Sequence, residues 1–231
     1  VNSPQRLSCC AVALFVGALC AQTAKVDKPY ATPEEAVARM ESTAKAGDVE
    51  GFLATLHPAA RKVMREVLAV AASRKAFEGA VDAKFGPDPE VKVRRDFDAK
   101  KELERIVSIT VVSRKAVDKP KTPEKTEKTE KTEKVEEVPE RVELRLKTVR
   151  REASGTGTKS EEESFTAVKE GEGWTLLLPR MSDVKELDKR AEGYAKTRVG
   201  MDLLARDVRD GKFKDREDVR AALTKVLTGA K

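Results

Sequence analysis

The feature that most restricts how this chain can fold is a change in the period of its apolar residues. From Thr32 to Phe85 they recur every three to four positions, as on one face of an α-helix. From Ile106 to Leu178 they alternate, as on a strand with one face buried, and from Val184 the helical period returns. Strands grouped in one block, rather than alternating with helices, point to an α+β fold whose sheet is antiparallel.

The first helical block divides at capping residues. Thr32-Pro33-Glu34-Glu35 has a capping side chain, a proline suited to the first helical position and an acid to complete a capping box. Ala36, Val37, Met40 and Ala44 form its buried stripe. Gly47-Asp48 supplies a stop and a new N-cap, opening a short helix with Val49, Phe52, Leu53 and Leu56. After His57-Pro58 a longer helix follows, with Val63, Val67, Phe77 and Val81 on its stripe, ending near Phe85-Gly86-Pro87.

The strands are equally marked. Val107, Ile109 and Val111 share one face of Ile106–Val112, and Val142, Leu144 and Leu146 one face of Arg141–Lys147. Strands near Ser164–Lys169 and Trp174–Leu178 flank a hairpin turn at Glu170-Gly171-Glu172-Gly173. Between the first two strands, 118–138 repeats Lys-Thr-Glu at Lys125, Lys128 and Lys131 and holds almost nothing to bury, so it reads as a disordered inserted loop. After Pro179 come two helices. Val184, Leu187, Ala191, Tyr194, Leu204 and Val208 mark the first, Gly211 its stop, and Asp215 the cap of a last helix carrying Val219, Leu223 and Val226.

The N-terminal stretch has the three-part pattern of a cleavable signal peptide. Arg6 precedes the apolar run Cys9–Ala21, and polar Gln22 and Thr23 follow. Cleavage after Ala21 removes Cys9, Cys10 and Cys20, all the cysteines of the chain, so the exported part is expected to be secreted or periplasmic and free of disulfide and thiol chemistry. No transmembrane segment is expected after that cleavage. The expected organisation is 1–21 signal peptide, 22–31 leader, 32–179 α+β roll and 180–231 helical extension. Charges are numerous but interleaved, 46 basic against 40 acidic, which excludes a nucleic-acid-binding face.

Three helices followed by a curved antiparallel sheet resemble the nuclear-transport-factor-two-like (cystatin-like α+β roll) superfamily. The stretches Thr32-Pro33-Glu34-Glu35-Ala36-Val37 to Ala46-Gly47-Asp48-Val49, and Gly171-Glu172-Gly173-Trp174-Thr175-Leu176, are similar to its exported bacterial members. The resemblance covers Tyr30 to Pro179 and implies a conical pocket between sheet and helices, lined here by Phe52, His57, Val142, Leu144 and Trp174.

In some members that pocket holds a carboxylate base beside a hydrogen-bond donor. The inward strand residues of this chain are aliphatic, and Asp48 reads as a helix cap, so no catalytic residue is assigned. With a single histidine and no cysteine after cleavage, neither a metal site nor a cofactor is expected. The expected function is that of an exported non-catalytic domain binding a small molecule or an envelope protein through its sheet concavity, with a homodimer also compatible. An isomerase or cyclase using a pocket carboxylate, for which Asp48, Asp96, Asp98 and Glu104 are the residues to place, and an envelope-associated structural protein, are the alternatives.

Overall fold

A computed structural model describes residues 30–88, 97–117, 139–152, 155–179, 181 and 183–228. The stretch 1–21 expected to be a signal peptide, the Lys-Thr-Glu insertion at 118–138 and Asp96 lie outside them. The chain is α+β: helices α1 (Pro33–Lys45), α2 (Val49–Ala54), α3 (Pro58–Phe85) and α4 (Ala99–Glu104) precede strands β1 (Ile106–Ala116), β2 (Arg141–Arg151), β3 (Thr158–Glu170) and β4 (Gly173–Leu177). Helices α5 (Val184–Arg209) and α6 (Arg216–Thr228) follow.

Polar caps start the helices where the sequence places them. The Thr32 hydroxyl accepts from the Glu35 amide at 3.1 Å, while the Glu35 carboxylate reaches back to the Ala31 amide at 2.8 Å, one residue beyond a strict capping box. Asp48 accepts from Gly51 N–H at 2.9 Å, and Asp215 from Glu217 and Asp218 N–H, each at 2.9 Å. Gly47, at φ 63°, makes the turn into α2 with the Glu104 and Lys100 side chains packed on it. That contact places α4 beside the α1–α2 corner.

The four strands form one antiparallel meander, β1-β2-β3-β4. Helix α1 lies against both β1 and β4, so the sheet curves around it. On the inward face, Leu144 pairs with Phe165, and Val142 with Ala167, which pairs in turn with Leu176. Val168 and Leu177 point the other way and are equally buried, so this end of the sheet is covered on both sides.

β1 departs from simple alternation. Its register with β2 shifts between Ile106 and Ser108 and again between Val111 and Ser113, leaving Val107 and Val112 as the extra residues. Val107, expected on the inward face with Ile109 and Val111, is therefore 36% exposed, and Ile106 takes its place in the core. At the opposite edge β4 is bonded to other segments. Trp174 N–H donates to Tyr30 O at 2.9 Å, Leu176 N–H to Thr55 O at 3.0 Å, and His57 N–H to Leu176 O at 2.9 Å.

Two hydrophobic cores share the long helices. The first joins Ala36, Val37, Met40 and Ala44 of α1 with the inward sheet residues, Ala60 and Val63 of α3, and Leu187 and Ala191 of α5. The second joins Phe77, Ala80 and Val81 of α3 with Leu204, Ala205 and Val208 of α5 and Val219 of α6. The helices α3 and α5 run parallel: Lys62 meets Asp188 near their starts, and Lys84 in the last turn of α3 donates to Phe213 O, just past the end of α5, at 2.8 Å. There Arg216 bonds Gly86 O and lies 3.5 Å from Asp82 and from Asp88, which also takes Arg220 at 2.9 Å. Between the cores the stripe is only half covered, and Tyr194 is 40% exposed.

Candidate functional site

The five residues expected to line a pocket fall in two places. Val142, Leu144 and Trp174 belong to the inward face of the sheet; His57 and Phe52 lie at the α2–α3 corner that is bonded to β4. The inward face is packed. Leu144 is 0% and Trp174 5% exposed, and both belong to the same buried cluster as Ala36, Val37, Met40 and Ala44 of α1. Zero exposure means that no water-sized space touches Leu144, so its methyl groups meet protein on every side. Phe52 is partly buried, packed against this cluster. Lys169 Nζ lies over the Trp174 ring, 5.9 Å from its centre, adding a cation–π contact at the strand end.

His57 is the one buried ionisable side chain among the described residues, at 7% exposure. It is the N-cap of α3: Nδ1 accepts from Ala59 N–H at 3.2 Å. Nε2 lies 2.8 Å from Oε1 of Glu170, whose side chain is 41% exposed. An acceptor at Nδ1 places the hydrogen on Nε2, which donates to the carboxylate. Both ring nitrogens are thus engaged, leaving no free lone pair for a general base. The imidazole ties the start of α3 to the end of β3. Proximity in sequence shows the cap beside Pro58; the Glu170 partner comes from the β3–β4 hairpin and has no local signal.

One turn further on, Arg61 closes the same corner. Its Nε donates to Leu53 O at 3.0 Å, and one Nη to Ala54 O at 2.9 Å and Leu56 O at 3.1 Å. Leu53 and Ala54 end α2 and Leu56 follows its C-cap; Leu53 O also accepts from Leu56 N–H at 3.1 Å, and the guanidinium adds charged donors at the negative end of the helix dipole. Sequence reasoning passes over Arg61, because an arginine in the first turn of a helix looks like a solvated charge.

The carboxylates considered as bases are on the surface. Asp48 and Asp98 are exposed N-caps of α2 and α4, and Glu104 is exposed beside Lys100, at 3.8 Å. The resolved perturbations are also surface effects. A hydrogen bond from Lys159, at 2.6 Å, holds the Glu161 carboxyl below its ordinary range and raises the lysine, and the hydrogen bond to Asp188 raises Lys62.

No family model, curated protein or solved structure matches the chain. Among the described residues no cluster of His, Cys, Asp or Glu is arranged to hold a metal ion, and no helix is long and apolar enough to cross a membrane.

Proposed function

We propose that this chain is an exported, non-catalytic domain of the nuclear-transport-factor-two-like kind, and that it works by binding a protein partner on its outer surface. The observation that carries the reading is the packed inward face: Leu144, Leu146 and Leu176 are fully buried against α1, where a small-molecule site would need room. The surface roles of Asp48, Asp98 and Glu104, and the double engagement of His57, weigh against the isomerase or cyclase alternative. Apolar side chains left outside the fold, Val199 and Leu203 on α5 and Leu227 on α6, add support for a partner surface. Export rests on Arg6 and the apolar run Cys9–Ala21 with its polar sequel.

The test has two arms. In the first, the purified chain is titrated with a panel of apolar and anionic small molecules while its melting temperature is recorded; no saturable rise is expected. In the second, a photo-cross-linking residue replaces Leu203 in cells that express the full chain, with the same residue at Lys147 on the outer sheet face as control. A single protein adduct from position 203, absent from 147, is expected. A saturable small-molecule stabilisation that also shifts Trp174 emission would overturn the reading.

A further inference from the structure

We draw no further inference here: the strongest candidate, the half-open waist between α3 and α5 where Val67, Val70 and Tyr194 stay partly exposed between the two cores, is an apolar face for which nothing in the structure shows what covers it.

Discussion

Replacing Gly200 by alanine puts two opposed effects on one residue. Gly200 sits inside α5, where alanine is favoured over glycine by about 1 kcal/mol. A Cβ there would lie 2.6 Å from Cγ1 of Val226 on α6 and 3.2 Å from its Cγ2, against about 3.5–4.0 Å for carbon atoms in ordinary contact. Valine in a helix has essentially one χ1 rotamer, so it cannot swing aside and α6 must move away. Overpacking of this kind costs about 1–3 kcal/mol. Gly200→Ala in the native background should therefore fail to stabilise, with a net cost of up to about 2 kcal/mol. With Val226→Ala already in place the obstruction is gone, and the same change should stabilise by about 1 kcal/mol. The double-mutant cycle is read by urea unfolding followed by far-ultraviolet circular dichroism. If Gly200→Ala stabilises both backgrounds equally, α6 does not lie against α5 at this point, and the packing described for the helical extension is wrong.

Other outcomes follow from the same contacts. Arg61→Ala removes three charge-assisted hydrogen bonds to carbonyls of this corner and should cost about 1.5–3 kcal/mol; Arg61→Lys should recover little, because an ammonium cannot span the fork. Leu144→Ala should cost about 2–5 kcal/mol by chemical denaturation, and the space it opens should take up benzene or xenon that the native chain does not bind. The lowered Glu161 carboxyl contributes stability above the unfolded carboxylate value of about 4.3, and loses it as pH falls through the lower folded value. Glu161→Gln should thus lower the melting temperature slightly at neutral pH, with the gap to the native protein closing in acid and in high salt, since the pair is exposed.

What could be read from the sequence is what local chemistry decides. Thr32, Asp48, Asp215 and the His57-Pro58 step mark helix starts because caps act within three residues, and Val142, Leu144 and Leu146 reveal their face because a strand alternates. What escaped depends on distant parts of the chain. Val107 looks inward by alternation, but a bulge against β2 turns it out. The start of β3, from Thr158, is wholly exposed and polar, so only its pairing with β2 makes it a strand. Helix α4 has a single aliphatic side chain beyond its alanine, Leu103, and thus no stripe to detect. Tyr194 continues the α5 stripe in sequence, yet falls where neither core extends. Of the candidate residues, the inward strand side chains and the cap at His57 are legible, whereas the Glu170 partner and the carbonyl cluster around Arg61 exist only once the α2–α3 corner meets β4.

The concave face of the sheet is occupied by the protein's own core, and Trp174 reports on it directly as the single tryptophan of the chain. Its fluorescence should be blue-shifted and quenched poorly by acrylamide in the free protein, rising to full quenching only on unfolding, as its 5% exposure requires. Red-shifted emission with efficient quenching under native conditions would mean that solvent enters the concavity, and would contradict the account.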